Sequence, residues 1–388
     1  MSASGRPPGE AAPDPAPEPA PEPAPDPGEG AAARPPGLWP KLLRLLAALL
    51  ALGAILYSFR NIDAAKAWQL LSSVGPVAVT IIIPYGVALG LDCVAFRGIL
   101  ADLGQRVRAR AILPIRVASE AVFMSFAGGT VLAESLVPWL LARRHGVPVP
   151  HSVVAGAARK RLFILANGLY LTAGLALGLE PLLAVSQTLT GTSVLPWLLG
   201  GAAAGLLGVG LGVGVLFQRG ALATRARRLL LIIPSRRVKG WLERHAERFL
   251  EADAGLKQSG AAPLSELLGP LAGYTLVWLT ELGETLLILH LLGVDLSPAA
   301  IFGMEMSTAL VRSLAFFVPA GLGVQDLGYT TFMRALGVQD ALDVSFAFVL
   351  LKRAKEVVYV ATGYSLLAWM SRGREAVTDR SSSEPRSP

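Results

Sequence analysis

Carboxylate side chains lie inside apolar stretches of this sequence, where a charge needs a physical reason. Asp92 falls within a predicted span over 75–97, toward one end of it. Glu281 and Glu284 are three residues apart and share one face of a predicted helix over 264–292. A charge at the centre of a membrane costs about 2.5–3.5 kcal/mol on insertion scales, so such side chains are expected to face a polar interior. We predict that Glu281 and Glu284 are coupling or structural carboxylates.

Two further apolar segments carry charged residues, and a short glycine-rich sequence interrupts each of them. The first segment, about 111–142, contains AGGT at 127–130, and the second, about 298–336, contains PAGLG at 319–323. Non-helical backbone at membrane depth is tolerated only where it is buried in protein or lines a wet cavity. We therefore predict two re-entrant helical hairpins, with Arg116 and Glu305 among the charges that face inward.

The hairpins and the helix after the second hairpin supply the predicted substrate-binding residues. Backbone N–H groups at a helix N-terminus and Lys or Arg side chains both suit a phosphate group. The alternative is a set of structural ion pairs that hold the hairpins in place. The predicted substrate-binding residues are Glu120, Gly128, Gly129, Glu134, Arg312, Gly321, Gly323, Gln325, Asp326, Lys352 and Arg353.

A basic cluster follows each hairpin at a similar distance along the chain. These clusters are Arg159, Lys160 and Arg161, and Lys352, Arg353 and Lys355. In an inverted arrangement they form one cationic mouth at each leaflet, suited to a phosphate-bearing headgroup. Two alternatives stay open. The long side chains could reach the interface by snorkelling, or part of the charge could be paired internally, because Lys352, Lys355 and Glu356 share a helical face.

Motifs of soluble enzymes are absent from the sequence. It contains no GxGxxG, GxxxxGK[ST], HExxH or GxSxG motif, its four histidines are scattered, and its one cysteine excludes a disulfide framework. We predict no metal, no other cofactor and no enzyme activity of these types. The GLGV sequence at 321–324 resembles the GxGD motif of intramembrane aspartyl proteases, but Val324 replaces the acid. An intramembrane enzyme that uses the carboxylates as acid and base stays as an alternative.

Composition places the chain in a membrane. Apolar residues make up 53% of it and charged residues 16%, and the net charge is +7. The basic residues flank apolar blocks near the ~20 residues that cross a bilayer, a pattern that indicates an anionic leaflet rather than nucleic acid. We predict an all-α polytopic membrane protein with about six full spans plus two re-entrant helical hairpins, or six to eight spans by hydropathy. The predicted full spans are 38–59, 75–97, 153–180, 195–217, 264–292 and 343–371.

The two hairpin regions indicate an internal repeat. AGGTVLAE at 127–134 is followed by a Gly-Val pair and then a basic cluster, and PAGLGVQD at 319–326 is followed by the same features at near-equal spacing. Three crossings plus a hairpin that returns to its own side make an odd number, so the second unit must be inverted. Inverted repeats with broken helices are the architecture of many secondary transporters.

These patterns divide the chain into six regions. Basic residues gather on one side, which predicts that both termini are cytoplasmic. The polar start of the chain also predicts that no signal peptide is cleaved. The regions are a disordered Pro/Ala/acidic tail (1–37), the first membrane repeat (38–180), a connecting loop and fourth span (181–217), a basic amphipathic cytoplasmic segment (218–263), the rest of the second repeat (264–371) and a disordered tail (372–388).

The basic cytoplasmic segment is predicted to contain an amphipathic helix. The residues on its apolar side are Val238, Trp241, Leu242, His245 and Phe249. Such a helix is suited to the lipid headgroup region. The alternative is a soluble linker helix that packs on cytoplasmic loops.

Three motifs resemble one known family. They are FVPAGLGVQD at 317–326, AGGTVLAE at 127–134 with LLARR at 140–144, and LKRAKE at 351–356. The sequence over about 40–371 resembles the lysylphosphatidylglycerol synthase transmembrane region family, also called flippase-like membrane proteins. The stretch from LLARR to Gly146 and Val147, and the Lys-Arg-x-Lys-Glu cluster at 352–356, look most like the branch found with hopanoid-synthesis proteins. The family's usual Glu after GLGVQ is Asp326 here, and Ala127 stands where relatives often have Pro.

The resemblance implies lipid translocation or handling. Family enzymes that make aminoacyl lipids carry a large soluble aminoacyltransferase domain after the membrane region, and we expect this chain to lack it. We predict a flippase or transporter of a phosphate-bearing or other amphipathic lipid that works by alternating access. The alternatives are the intramembrane lipid-modifying enzyme and a non-catalytic scaffold for a hopanoid-type synthesis complex. The expected partners are membrane lipids and lipid-biosynthesis enzymes, without nucleic acid, in the bacterial cytoplasmic (inner) membrane; the oligomeric state stays open.

Overall fold

The computed structural model describes residues 64–372, apart from 127–128, 233–234 and 315–322. The predicted N-terminal tail, the predicted span at 38–59 and nearly all of the C-terminal tail lie outside the described residues. Every regular element in the described part of the chain is helical. The predicted all-α class is confirmed.

The first half of the described chain contains the helices predicted for the first repeat together with one that was not predicted. The helices are α1 (Ala64–Val74), a 3₁₀ helix η1 (Gly75–Ile81), α2 (Ile82–Asp102), α3 (Ala109–Ser125), α4 (Gly129–His145) and α5 (Val149–Leu177), which ends this half, and a connecting helix α6 (Leu179–Thr190) follows it. The predicted first hairpin corresponds to α3 and α4, and the span after it corresponds to α5.

The second half repeats this order after a basic insert. The helices are α7 (Val194–Arg219), α8 (Leu222–Leu230), α9 (Arg236–Arg244), α10 (Ala246–Ala261), α11 (Leu264–Leu291), α12 (Pro298–Leu314), α13 (Val324–Ala335) and α14 (Ala341–Arg372). The predicted second hairpin corresponds to α12 and α13, and the last predicted span to α14.

The first hairpin folds back tightly because a glycine stands at its reversal. A Cβ atom on Gly129 would lie 2.4 Å from the carbonyl oxygen of Phe123, so no other residue fits without a shift of the backbone. The Gly129 N–H donates to the Phe126 carbonyl at 2.8 Å. The Ser119 hydroxyl donates to the Ala133 carbonyl at 3.2 Å and ties α3 to α4.

Helices of one half pack against helices of the other in a matched way. The helices that precede the two hairpins, α2 and α11, pack together, α3 of the first hairpin packs on α14, and α12 of the second hairpin packs on α5. Each hairpin therefore contacts the last helix of the opposite half. This exchange of contacts is what a two-fold pseudo-symmetric pair of units produces, and it supports the predicted repeat.

Glycines allow the closest of these contacts. A Cβ on Gly363 of α14 would lie 2.5 Å from the Val117 carbonyl oxygen of α3. On α5, Gly174 lies against Phe302 of α12, and four residues later Gly178 lies against the Ala299 carbonyl, 3.0 Å from where its Cβ would be. Small residues four apart are a common way for membrane helices to approach closely.

The distribution of polarity between core and surface is the reverse of that in a soluble protein. Trp197 is 79% exposed and Val357 is 67% exposed, whereas Asp92 and Glu284 are only 3% and 2% exposed. Charged side chains are almost never fully buried in soluble proteins unless they are paired. An apolar exterior around a charged interior is expected where lipid replaces water as the solvent.

Two described helices are long and apolar enough to cross a membrane by length and composition, namely Ala65–Asp102 and Val194–Arg219. A third crossing is added if α5 and α6, which are bent by 83° at their junction, count as one span. The other long helices, α11 and α14, have 28 and 32 residues and carry charged residues of the site described below. The count of six spans and the inversion of the second repeat stay predictions.

The region predicted as a connecting loop after the first repeat is wrong in part, because most of it is the helix α6. Gly178 leaves helical geometry and ends α5, and the chain then turns sharply. Pro181 falls in the first turn of α6, where its missing N–H costs little. Leu182 and Val185 are fully buried and hold α6 against the core.

The basic segment forms three short helices rather than one. Its predicted apolar side is wrong in one respect: Leu242 is fully buried, whereas Trp241 is about half exposed and stacks on His245 with ring centroids 4.8 Å apart. Phe249 lies at 6.4 Å from Trp241, between ring centroids. The side chain of Val238 is outside the described set.

Candidate functional site

The interior of the first repeat contains an ion-pair cluster centred on Asp92 of α2. One carboxylate oxygen accepts from Nε of Arg116 on α3 at 2.7 Å, and the other accepts from Nε of Arg159 on α5 at 2.7 Å. All three side chains are buried. Because a buried charge that loses its partner is strongly destabilising, Asp92 holds three helices in register.

The same cluster extends to an accessible edge. Glu134 of α4 accepts from Nη1 of Arg159 at 3.2 Å and pairs with Nζ of Lys160 at 3.0 Å. The Glu134 and Lys160 side chains are 29% and 43% exposed. With Arg116, Arg159 and Lys160 against Asp92 and Glu134, the cluster carries one excess positive charge.

A tyrosine hydroxyl lies beside this cluster without a hydrogen bond. Tyr274 of α11 is fully buried, and its hydroxyl oxygen has no partner among the described residues. The guanidinium carbon of Arg159 is 5.9 Å from the Tyr274 ring centroid and 5.6 Å from that of Phe163. A buried hydroxyl usually finds a partner, so this one stands out among the described residues near the cluster.

A second cluster occupies the interior of the second repeat and is centred on Glu305 of α12. Its carboxylate accepts from Nζ of Lys352 at 3.1 Å, from the Tyr329 hydroxyl at 2.9 Å and from the Thr285 hydroxyl. The Tyr329 oxygen in turn accepts from Nε2 of Gln325 at 3.0 Å. Four helices, α11 to α14, therefore meet at one carboxylate.

Two further ion pairs flank Glu305. Glu284 of α11 binds Nζ of Lys355 through both oxygens at 2.7 Å. Asp326 of α13 accepts from Nη2 of Arg353 at 2.6 Å, and its other oxygen accepts from the Gly323 N–H at 2.9 Å, which caps the start of α13. Gly323 has a φ of 76°, a conformation that favours glycine.

Arg353 also binds a carboxylate on its own helix. Its Nη1 donates to Glu356 at 2.7 Å. The cations Lys352, Arg353 and Lys355 thus face the carboxylates Glu284, Glu305, Asp326 and Glu356, so these seven described side chains together carry one excess negative charge.

The two clusters follow one plan. In each half, an acid on the helix before the hairpin (α2 or α11) pairs with a cation on the helix after the hairpin (α5 or α14). These pairs are Asp92 with Arg159, 67 residues apart, and Glu284 with Lys355, 71 residues apart. The acid on the second arm of the hairpin also pairs with the last helix, Glu134 with Arg159 at 25 residues and Asp326 with Arg353 at 27. The repeat is therefore present in the ion pairs as well as in the helix order.

Glu120 connects the first hairpin to the second cluster. It accepts from the Tyr85 hydroxyl at 2.6 Å. Nζ of Lys355 lies 4.6 Å from the Tyr85 ring centroid, and the Tyr359 ring packs edge-on against it with centroids 4.7 Å apart. The Tyr85 side chain thus separates a carboxylate of one repeat from a cation of the other.

The structure brings most of the predicted site residues into these clusters. Glu134 is in the first cluster, and Gly323, Gln325, Asp326, Lys352, Arg353 and Glu284 are in the second. Glu281 is half-buried on α11, three residues before Glu284. Gly129 shapes its hairpin, and its backbone N–H is already bonded within the turn. Gly128, Gly321 and the side chain of Arg312 lie outside the described set.

One prediction about the cations needs correction. A cationic mouth of unpaired side chains does not occur at Lys352, Arg353 and Lys355, because each of them binds a carboxylate. The pairing predicted within the helix is real but involves Arg353 rather than Lys352 as the partner of Glu356. The energetic reason is that an unpaired cation costs more in this interior than a paired one.

Apart from Gln325, the uncharged polar side chains of the clusters were not identified from the sequence. Tyr85, Tyr274, Thr285 and Tyr329 complete the clusters, and a tyrosine in an apolar helix resembles an ordinary core or interface residue. The signal for Tyr329 was its position one turn after Gln325, on the face that carries the polar residues. No comparable signal marks Tyr274.

Comparison with known proteins gives a family and a distant relative. The family model described as "Lysylphosphatidylglycerol synthase TM region" matches residues 44–371. The protein named Glycosyltransferase AglD, from Haloferax volcanii, is 28% identical over 329 residues, which are 78% of this chain and 50% of that protein. The chain thus spans about half the length of that relative. No solved structure matches the chain.

Proposed function

The chain belongs to the lysylphosphatidylglycerol synthase transmembrane region family, and from this premise we propose that it moves a phosphate-bearing lipid between leaflets by alternating access. Membership makes it a multi-pass membrane protein with a lipid-related function. The proposal adds the transport step, the phosphate and, from the charge pattern of the sequence, a cytoplasmic membrane with both termini inside.

The observation that carries the proposal is the pair of matched ion-pair clusters, one in each repeat. Each cluster joins a hairpin to the helix before it and to the helix after it. Ion pairs that are partly accessible can exchange partners at little net cost, because a departing carboxylate is replaced by another anion. A phosphate is such an anion.

The edge of the first cluster is the better entry point. Glu134 bridges Arg159 and Lys160 and is partly exposed, so a phosphate oxygen that displaces it would gain two cations. Asp92 would keep Arg159 oriented from the buried side, and the free hydroxyl of Tyr274 would be available as an additional donor. One excess positive charge there favours an anion over a neutral headgroup.

Alternating access follows if the two clusters open in turn. Each hairpin packs on the last helix of the opposite half, so a movement that separates one hairpin from its own last helix would also change the contacts of the other half. Rocking of two pseudo-symmetric units around a central site is the usual mechanism of such architectures.

The name of the Haloferax relative keeps an enzyme as the second candidate. Glycosyltransfer onto a lipid carrier would need an acid or a base, and the interior carboxylates are the available groups. The chain spans about half of that relative, so the activity in the relative's name belongs to the whole relative and is not transferred to this chain.

The test is a lipid-translocation assay on the purified full chain in proteoliposomes. Fluorescent lipids with phosphate-bearing and uncharged headgroups are placed in both leaflets, and a membrane-impermeant reductant bleaches those outside. A transporter makes the inner phosphate-bearing lipids accessible without changing them, whereas an enzyme yields a new lipid product. Asp326→Asn should abolish movement, and Asp340→Asn, which alters an exposed ion pair with Lys66, is the matched control. Equal bleaching with and without protein would reject the transport proposal.

A further inference from the structure

The basic insert, residues 219–261, combines excess positive charge with exposed large apolar side chains. It holds ten Lys or Arg residues against four Asp or Glu, a difference of +6. The basic residues are Arg219, Arg225, Arg227, Arg228, Arg236, Arg237, Lys239, Arg244, Arg248 and Lys257, and the acidic residues are Glu243, Glu247, Glu251 and Asp253.

The insert is a folded unit rather than a loose linker. The Asp253 carboxylate accepts from the backbone N–H groups of Ala223 and Thr224 at 2.7 and 3.0 Å and so caps α8. Nε of Arg227 donates to the Leu242 carbonyl at 3.0 Å and joins α8 to α9. Leu242 is fully buried, so the insert has an interior of its own, and the apolar side chains that remain exposed lie outside it.

The insert is fixed at the depth where two membrane spans end. Nε2 of Gln258 donates to the carbonyl of Asp102, the last residue of the span Ala65–Asp102, at 2.8 Å. Nε2 of Gln218, near the end of the span Val194–Arg219, donates to the Gly260 carbonyl at 2.9 Å. Groups held at the ends of two spans lie at the headgroup level of the bilayer.

Large apolar side chains are exposed on this unit. Leu229, Ile232, Trp241 and Leu250 are 67%, 75%, 48% and 61% exposed, and Leu230 is exposed to a lesser degree. Arg225 and Arg228 are exposed beside them on α8 and have no carboxylate partner among the described residues. Trp at the membrane–water interface and arginine beside it are the typical composition of surfaces that bind anionic lipid.

We propose that the exposed apolar side chains Leu229, Ile232, Trp241 and Leu250, together with the arginines of α8, form a face that docks on the anionic headgroups of the adjacent leaflet. The apolar side chains insert at the boundary of headgroups and acyl chains, and Arg225 and Arg228 bind lipid phosphates. Each basic residue near an anionic leaflet strengthens such binding. This docking does not require the chain to transport lipid.

The end of the insert lies close to the first cluster. Gln258 and Ser259 of the insert line one cavity, of about 280 Å³, with Ala158 and Arg161 of α5. Ala158 and Arg161 flank Arg159 and Lys160 in the sequence. Anionic headgroups gathered by the insert would therefore be concentrated near the accessible edge of that cluster.

The experiment uses the full chain with Cys93→Ala, so that one introduced cysteine can carry an environment-sensitive fluorophore. Ile232→Cys reports on the docked face, and Glu243→Cys, exposed on a different side of α9 from Trp241, is the matched control. Both proteins are reconstituted into vesicles of phosphatidylcholine alone or with phosphatidylglycerol, each doped with brominated lipid as quencher.

We expect label at position 232 to be blue-shifted and quenched at least about twofold more than label at 243 in the anionic vesicles. Arg225→Gln combined with Arg228→Gln should reduce this quenching, and phosphatidylcholine alone should support less of it. Equal quenching at 232 and 243, or quenching at 232 that ignores headgroup charge, would overturn the proposal. Protection of position 232 by added RNA or by a soluble protein, without quenching by anionic vesicles, would overturn it in favour of another partner.

Discussion

Arg159 donates to Asp92 through Nε and to Glu134 through Nη1, so one guanidinium binds both the buried and the accessible carboxylate of the first cluster. The buried bond fixes the side chain, and the outer bond is the one that a ligand can replace. Substitutions of Asp92 and of Glu134 are therefore expected to have different effects.

Removal of the buried carboxylate should destabilise the fold. Asp92→Asn leaves Arg116 and Arg159 buried with one countercharge fewer, and breaking such a pair costs about 3–5 kcal/mol. Thermal unfolding in detergent measures the loss. Asp340→Asn, in an exposed pair, should change stability by less than about 1 kcal/mol. A similar small effect of both variants would contradict the structural role of Asp92.

Removal of the accessible carboxylate should strengthen lipid binding. Glu134→Gln takes away the anion that competes with phosphate for Arg159 and Lys160, and a partly exposed pair is worth up to about 1 kcal/mol, or roughly fivefold in affinity. Lys160→Gln should weaken the same binding. Titration of the purified protein with a fluorescent anionic phospholipid measures both changes. If the two variants change affinity in the same direction, phosphate does not exchange with Glu134.

Tyr274→Phe distinguishes a ligand-binding hydroxyl from a structural one. The hydroxyl has no partner among the described residues, so its removal should leave the stability of the lipid-free protein unchanged or slightly higher. Affinity for the phosphate-bearing lipid should fall by roughly fivefold to tenfold if the hydroxyl donates to the phosphate, since one hydrogen bond contributes about 1–1.5 kcal/mol. A drop in stability with unchanged affinity would assign the hydroxyl to the fold alone.

Tyr329→Phe should behave in the opposite way. Its hydroxyl bonds to Glu305, Lys352 and Gln325, and leaving these buried groups unsatisfied costs about 1–3 kcal/mol. The melting temperature in detergent should fall clearly. Tyr364→Phe, at an exposed tyrosine of α14, is the control that should not move it.

The first hairpin should not tolerate a side chain at its reversal. Gly129→Ala would place Cβ 2.4 Å from the Phe123 carbonyl oxygen, and overpacking of this kind costs about 1–3 kcal/mol. Gly205→Ala, at a site with open space around the glycine, should be neutral or slightly stabilising because alanine favours a helix. Proteolysis of the reversal in the folded protein would report the loosened hairpin.

Much of the architecture could be predicted because apolar blocks and glycine breaks are local signals. The predicted spans and hairpin arms match α2, α5, α7, α11 and α14 and the pairs α3–α4 and α12–α13, and the predicted family is confirmed. The pairing of specific charges was not predictable, because Asp92 and Arg159 are 67 residues apart and meet only through helix packing. The helix α6 was missed since its polar residues resemble those of a loop.

The glycines at 174 and 178 bring the end of α5 against the start of α12: Gly174 receives the side chains of Phe302 and Met306, and Gly178 meets the backbone of Ala299 and Gly303. Since α5 carries Arg159 of the first cluster and α12 carries Glu305 of the second, two helices that each contribute to one cluster touch directly at one end. A tilt of one of these helices would therefore displace the other. A headgroup bound at one cluster would therefore change the position of helices that form the other cluster.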